Sequence, residues 1–164
     1  MHNTKIVNIK EAVKIAKRIR QKGGGIVLVG GSFDILHIGH VKFLEKAKKQ
    51  ADFLFVLLES DDNVRKFKGK DRPINRQKNR AIVLSALTSV NYVILLPNLK
   101  TDAHYDSVVS QIRPSIIATT AKDPNILHKK RQANQIKGKV MCVLQRISNQ
   151  STSRLARLID QDLL

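Results

Sequence analysis

Residues 26–47 read IVLVGGSFDILHIGHVKFLEKA, and this stretch decides the fold. Its first four residues form an apolar run typical of a buried strand, and its last seven carry apolar residues at helical spacing. Between them lie a glycine pair and two histidines, His37 and His40. A strand, a glycine turn and a helix in this order bring backbone N–H groups and two imidazoles to a helix N-terminus, where anions bind. The stretch therefore predicts a phosphate site, although one histidine capping the turn and the other lying in the core is the ordinary alternative.

Strands and helices alternate through the rest of the chain. Strand-like apolar runs lie at 26–29, 53–58, 92–96, 115–118 and 139–144, and helical patterns lie at 8–21, 41–50, 75–87, 102–112, 125–136 and 152–160. Strands that are apolar throughout, rather than on alternate residues, are typical of a parallel sheet covered by helices on both faces.

We therefore predict an α/β fold, a Rossmann-like five-stranded parallel sheet with helices on both faces. The crossover rule and the order of elements favour the strand order 3-2-1-4-5, with a ligand cleft between strands one and four. Thr119 and Thr120 follow the fourth strand and are predicted to line the nucleotide pocket. The length predicts a single domain, with an extra N-terminal helix and glycine linker at 1–25 and the core at 26–164.

The composition is strongly basic, with 30 Lys and Arg against 13 Asp and Glu and a formal net charge of +17. Aromatic residues are only 4% of the chain, and the basic residues are spread along it. Nucleic-acid-binding proteins usually concentrate their basic residues or interleave them with aromatics. We therefore expect no specific nucleic-acid partner, only weak and salt-sensitive adhesion.

No apolar run exceeds the length of a strand, so the sequence predicts neither a signal peptide nor a membrane span, and a cytoplasmic location is expected. The single cysteine, Cys142, lies in the apolar run at 140–144. It is predicted to be a buried packing residue.

Several motifs together resemble one known family. HIGH at 37–40, preceded by GSFD at 31–34, resembles the signature of the cytidylyltransferase-like nucleotidylyltransferases. FKGKDRPI at 67–74 and RAIVLSAL at 80–87 are similar to the adenylyltransferase domain that activates heptose 1-phosphate in bacterial surface-sugar synthesis. RISNQSTS at 146–153 resembles the second signature of the family. Class I aminoacyl-tRNA synthetases share the HIGH motif, but they are far longer and carry a lysine-rich second signature that this chain lacks.

The resemblance implies that a nucleoside monophosphate is transferred from ATP, or from CTP, to a phosphorylated small-molecule acceptor, with release of pyrophosphate. Among such acceptors, a sugar phosphate is favoured. Such a transfer depends on positioning and on charge neutralisation. It implies His37, His40, Lys68 and Arg146 as catalytic residues, and Asp34, Lys68 and Arg80 as contacts of the acceptor. The nucleotide-binding residues that it implies, together with the strand-end threonines, are Gly31, Ser32, Phe33, His37, His40, Thr119, Thr120, Ser151, Thr152 and Ser153.

Several of these residues also have ordinary structural interpretations. Ser151 is as well suited to a plain helix cap. Asp34 either caps its own turn or orients the acceptor phosphate through a cation. Apart from Lys68, the basic residues at 65–72 are expected to form a solvated loop. The remaining histidines, His2, His104 and His128, are predicted to lie on the surface.

No protein-held metal site is predicted, since Asp61 and Asp62 are interpreted as a polar turn and no cluster suits zinc. Mg²⁺ is expected to arrive with the nucleoside triphosphate and to keep most of its waters. The resemblance also implies a homodimer, and no membrane partner is expected.

One loop departs from the nearest family pattern. Residues 118–124 read ATTAKDP, where the heptose enzymes carry a lysine- and glycine-rich stretch that ends in aspartate and tyrosine. We therefore expect poor activity with heptose 1-phosphate relative to another phosphorylated acceptor. A glycerol-3-phosphate-type cytidylyltransferase, a flavin adenylyltransferase and a non-catalytic basic nucleic-acid-binding module remain as alternatives, although the intact histidines argue against the last.

Overall fold

The computed structural model of the chain describes residues 5–145 and residue 155. The predicted site residues Arg146, Ser151, Thr152 and Ser153 lie outside the described residues. So does the helix predicted at 152–160, apart from Leu155.

The described residues form one parallel sheet with helices between its strands. The strands are β1 (Ile6–Val7), β2 (Ile26–Gly31), β3 (Phe53–Leu58), β4 (Tyr92–Leu95), β5 (Ile116–Thr120) and β6 (Lys139–Leu144). The helices are α1 (Ile9–Gln21), α2 (Ile38–Lys48), α3 (Asp61–Lys68), α4 (Gln77–Ser85), α5 (Asp102–Ile112) and α6 (Ile126–Gln135).

The strand order is β1-β4-β3-β2-β5-β6, and every pairing is parallel. Within it, the five predicted strands stand in the predicted order 3-2-1-4-5. The prediction of five strands was wrong because β1 adds a sixth at the edge, where Ile6 and Val7 pair with Val93 and Ile94. A strand of two residues is too short to leave a periodic pattern in the sequence.

The core has two layers, one on each face of the sheet, as predicted. Ile26 and Leu28 of β2 pack in a cluster with residues of α1, α5 and α6. Val27 and Val29 point the other way and pack with residues of α2 and α4. Because successive side chains of a strand alternate between faces, the continuous apolar run of β2 serves both layers.

The predicted N-terminal helix is confirmed as α1, and Asn8 caps it. The Asn8 side chain accepts a hydrogen bond from the N–H of Glu11 at 3.0 Å, and the Glu11 carboxylate accepts one from the N–H of Asn8 at 2.9 Å. This reciprocal pair satisfies two N–H groups that a helix start otherwise leaves without partners.

Two local predictions were wrong at α3. Asp61 and Asp62 do not form a polar turn but open the helix, and much of the basic stretch at 65–72 belongs to it rather than to a loop. Ser60 caps the helix by accepting from the N–H of Asn63 at 3.2 Å. Carboxylates in the first turn and basic side chains in the last stabilise a helix through its dipole.

Cys142 is exposed rather than buried, so its predicted packing role was wrong. It lies on β6, at an edge of the described sheet, where no described residue is fully buried. None of the helices described here is long and apolar enough to cross a membrane.

Candidate active site

The two motif histidines meet at the start of α2. His37 is the N-cap residue, and its Nδ1 accepts a hydrogen bond from the N–H of Gly39 at 3.1 Å. The imidazole of His40 stacks on that of His37, with 3.9 Å between ring centroids and 29° between ring planes. Because Nδ1 of His37 is an acceptor, the proton of the neutral ring sits on Nε2, which leaves that N–H as a donor toward a ligand.

Both imidazoles are held in the neutral form. Burial, the neighbouring ring of His37 and the ammonium of Lys68 lower the pKa of His40 to about 4, against a hydrogen bond with the backbone of Ile35 that raises it. Burial and then Lys68 lower the pKa of His37. The pair therefore offers hydrogen-bond donors at neutral pH, while the positive charge beside it comes from Lys68.

Lys68 is the last residue of α3, and Gly69 ends the helix at a positive φ of 104°. Burial and the charge of Arg72 lower the pKa of Lys68, while Asp34 opposes them. The structure thus brings together three predicted catalytic residues from two separate elements, His37, His40 and Lys68.

The ring of Phe33 packs against His40 of the histidine pair. Its backbone has a positive φ of 44°, and its buried ring lies 5.2 Å from that of His40. A Cβ on Gly31 would come within 3.0 Å of the Phe33 ring. The packing of Phe33 therefore favours a glycine at position 31, where we predicted close approach of a nucleotide as the reason.

Arg80 lies behind the cleft rather than on its surface. It is 1% exposed, and its guanidinium donates to the carbonyl groups of Asn75 at 2.9 Å, Ser32 at 2.5 Å and Glu59 at 2.9 Å. It also donates to the carboxylate of Asp61 at 2.7 Å. These bonds tie the ends of β2 and β3 to the start of α4, so Arg80 positions the walls, and this geometry does not support the predicted contact with the acceptor.

Asp34 is likewise a structural anchor. Its carboxylate accepts from Arg72 Nε at 2.7 Å and from the N–H groups of Ile74 at 2.9 Å and Asn75 at 2.8 Å. Burial alone would raise the pKa of Asp34, but these donors outweigh it and hold the pKa below its usual value. Asp34 therefore secures a distant segment instead of capping its own turn, and at 4% exposure it is not presented to an acceptor.

A cavity of about 470 Å³ lies over the carboxyl ends of β2 and β3, between α3, α5 and α6. Three of the predicted site residues, Gly31, Ser32 and Lys68, line it. Neither motif histidine is among the described residues that line it. Lys68 lies between the cavity and the histidine pair, because it lines the cavity and its charge lowers the pKa of both imidazoles.

The cavity lining also includes residues that the sequence reasoning missed. Glu59, Tyr105 and Lys129 belong to it, and so does His128, which was predicted to be a surface residue without a role. The side chain of His128 is 46% exposed, and its Nδ1 lies 3.3 Å from a carboxylate oxygen of Asp102. A carboxylate directly after β3 was the one available signal for Glu59, because ligands bind beyond the carboxyl ends of parallel strands.

The Thr119 hydroxyl is bonded within the protein and is not presented to a ligand as predicted. Thr119 is 1% exposed, and its hydroxyl donates to the carboxylate of Asp123. That carboxylate also accepts from Lys129 Nζ at 2.5 Å. Of this segment, Pro124, Asn125 and Lys129 line the cavity, whereas Thr119 and Thr120 are not among its described lining. Within residues 5–145 and 155, no group of three or more His, Cys, Asp or Glu side chains could hold a metal ion.

Comparisons with known proteins agree on one family. The model of the cytidylyltransferase-like family matches residues 28–157. The bifunctional protein HldE of Aliarcobacter butzleri is 39% identical over 115 residues, which cover 70% of this chain and 23% of that protein. The bifunctional protein HldE of Helicobacter hepaticus is 32% identical over 158 residues, which cover 96% of this chain and 31% of that protein. The chain thus spans about a quarter to a third of the length of these relatives.

Two solved structures share the fold. The lipopolysaccharide core biosynthesis protein from Thermoplasma volcanium is 27% identical, with a TM-score of 0.60 over 79% of this chain and 100% of that chain. The pantoate-beta-alanine ligase of Francisella tularensis is 16% identical, with a TM-score of 0.61 over 97% of this chain and 78% of that chain. The second likeness concerns the fold alone.

Proposed function

The chain belongs to the cytidylyltransferase-like family of nucleotidyltransferases, and from this premise we propose that it transfers a nucleoside monophosphate to a phosphorylated small molecule. The donor is ATP, with CTP as the alternative, the acceptor is a sugar phosphate, and pyrophosphate is released. Mg²⁺ enters as part of the nucleotide substrate, held by triphosphate oxygens.

The stacked pair of neutral imidazoles beside Lys68 is the observation that carries this proposal. In the transfer, an oxygen of the acceptor phosphate forms a bond to the α-phosphorus, and the bond from that phosphorus to the oxygen bridging to the β-phosphate breaks. Negative charge grows on the transferred group and on the leaving pyrophosphate. His37 and His40 donate hydrogen bonds to these oxygens, while Lys68 supplies positive charge.

The arrangement needs no covalent intermediate on the protein. Fixed donors stabilise the transition state without having to reorganise during the reaction, so most of the catalysis comes from positioning. Arg80 and Asp34 contribute indirectly, since they fix the backbone around Ser32 and the segment that follows Lys68.

The choice of a sugar phosphate draws on the relatives and on the cavity. The matched Thermoplasma protein is described as acting in lipopolysaccharide core biosynthesis, and the motif resemblance is to a heptose 1-phosphate adenylyltransferase domain. The cavity beside Lys68 combines basic side chains with a carboxylate and a tyrosine, which suits a ligand that is anionic at one end and hydroxylated at the other. The homodimer that the resemblance implies stays a prediction.

Pyrophosphate release tests the proposal. Each of the four nucleoside triphosphates is incubated with Mg²⁺, the protein and one acceptor from a panel of heptose 1-phosphate, mannose 1-phosphate, glucose 1-phosphate, glycerol 3-phosphate and FMN. We expect acceptor-dependent release with ATP or CTP and a sugar phosphate, with heptose 1-phosphate poorer than another acceptor because of the loop at 118–124. If none of the acceptors in the panel supports pyrophosphate release, nucleotidyl transfer is contradicted. Efficient turnover of heptose 1-phosphate would contradict the role given to that loop.

A further inference from the structure

Glu59 is a partly buried carboxylate that the proposed transfer does not use. It follows β3 directly, its N–H donates to the carbonyl of Gly31 at 3.2 Å, and its carbonyl accepts from Arg80 at 2.9 Å. Both backbone bonds fix it beside the glycine turn of β2, and it lines the same cavity as Lys68.

Neighbouring side chains hold one oxygen of this carboxylate. Oε2 accepts from the Tyr105 hydroxyl at 2.9 Å and from Asn63 Nδ2 at 3.2 Å. Asn63 Nδ2 also lies 2.9 Å from the Tyr105 hydroxyl oxygen and 3.0 Å from the carbonyl of Leu99. Within residues 5–145, hydrogen bonds reach only Oε2, which leaves Oε1 as the acceptor that this side chain offers to a ligand.

The cavity lining carries charges of both signs. Lys68 and Lys129 are basic, and Lys129 forms an ion pair with Asp123; the acidic side chains of the lining are Glu59 and Asp102, and Asp102 lies 3.3 Å from His128 Nδ1. A carboxylate repels phosphate and accepts hydrogen bonds from hydroxyl groups. Lys68 therefore suits the phosphate of a phosphorylated ligand, and the Glu59 carboxylate suits one of its hydroxyl groups.

We infer that Glu59 recognises a hydroxyl group on the carbon skeleton of the acceptor, and that Tyr105 and Asn63 position its carboxylate for this contact. This inference rests on the proposed function, and it names a specificity determinant for the acceptor. Burial raises the pKa of Glu59, against the opposing influence of Tyr105, Asn63 and Arg80. A partly buried acceptor is costly to cover without giving it a partner, so it selects for ligands that carry the matching hydroxyl.

Two substitutions test the inference with nearly unchanged side-chain size. In Glu59→Gln the amide oxygen remains the partner of Tyr105 and Asn63, so the amide N–H₂ takes the place of Oε1 and presents donors where an acceptor is needed. We expect KM for the sugar phosphate to rise by about tenfold or more, with KM for the nucleotide unchanged within about twofold. Tyr105→Phe frees the carboxylate and is expected to raise the same KM by about threefold to tenfold.

Matched controls come from the same residue types elsewhere. Glu45→Gln changes an exposed carboxylate on α2, and Tyr92→Phe changes the other tyrosine of the chain, which packs edge-on against Phe55. Both controls are expected to keep wild-type KM values. Thermal unfolding of all four variants identifies any loss of folding.

Monodeoxy analogues of the best sugar phosphate separate recognition from general damage. The analogue that lacks the hydroxyl bound by Glu59 should be a poor substrate for the wild type. Glu59→Gln should raise the KM for this analogue little further, because the contact is already missing. If wild-type turnover is robust but Glu59→Gln leaves the acceptor KM unchanged, or penalises every deoxy analogue as much as the parent, the inference is wrong and the proposed function stands. If the wild type turns over no sugar phosphate at all, both are wrong.

Discussion

The histidine turn and the cavity wall around Glu59 are built in different ways. In the turn, His37, Gly39 and His40 lie within one turn of chain and are held by a local hydrogen bond and a ring stack. In the wall, Glu59 and Tyr105 are 46 positions apart and meet through tertiary structure. Chemistry common to a family is thus carried by a local motif, whereas the proposed acceptor recognition depends on residues that can change without disturbing the motif.

Arg80 connects the two regions, since it donates to Ser32 beside the turn and to Glu59 in the wall. Arg80→Met should have the largest effect, a loss of about 3 kcal/mol in the free energy of unfolding, because it leaves four partly buried acceptors without this donor. Arg131→Met is the matched control, since Arg131 is 45% exposed and its ion pair with Asp106 should contribute less than about 1 kcal/mol. Urea denaturation measures both values, and equal losses would contradict the linking role of Arg80.

The turn itself is tested by His37→Ala and His40→Ala. Each should lower kcat by on the order of 10²-fold, because each removes a donor that acts chiefly in the transition state. His104→Ala, an exposed histidine on α5, should leave kcat unchanged. Near-normal turnover in both motif variants would show that the turn is a capping device and nothing more.

The pH dependence of stability tests the neutral state of His40. Its pKa is about 4 in the folded protein against 6.5 as the ordinary value, so between these pH values the unfolded chain binds a proton that the folded protein does not. Stability should therefore fall as the pH drops from 6.5 to 4, by about 2 kcal/mol from this residue. His40→Gln should lose that part of the slope, while other titrating groups contribute equally to both proteins. Parallel slopes for wild type and variant would contradict the assignment.

The smallest effect is expected at the C-terminal signature, whose role stays a prediction from sequence. Ser151→Ala and Arg146→Ala should each weaken nucleotide binding by about tenfold, since hydroxyl and guanidinium groups there are expected to hold phosphate. Calorimetric titration with a non-hydrolysable triphosphate measures this, and Ser110→Ala on α5 is the control. Unchanged affinity in both variants would reduce the signature to a helix cap.

The sequence predicted the features that are formed by residues close together in the chain. The apolar run of β2, the glycines and the histidines predicted a strand, a turn and a helix, and five strand runs were enough for the order of five strands. Arg80 and Asp34 were assigned to the acceptor because a polar side chain in a motif looks the same whether it binds ligand or backbone. Only the fold shows that their partners are carbonyl and N–H groups of distant segments.

The short elements and the residues around Glu59 were not predicted from the sequence, for related reasons. β1 has two residues, and α3 has few apolar positions, although Ser60 before two aspartates and Gly69 after Lys68 were capping signals that could have been used. Cys142 was assigned to the core from an apolar run, which does not tell an edge strand from a central one. Glu59 and Asn63 are four positions apart, but nothing in the sequence links them to Tyr105.

The most direct test of nucleotidyl transfer follows the α-phosphorus of the donor. ATP or CTP labelled at the α-phosphate is incubated with Mg²⁺, the protein and the sugar phosphates of the panel, and the products are separated. We predict that the label appears in a nucleoside diphosphate sugar, in amounts equal to the unlabelled pyrophosphate released, and that His40→Ala suppresses both. Label that stays in nucleoside monophosphate or diphosphate, or a phosphate group transferred from the γ-position instead, would contradict the account.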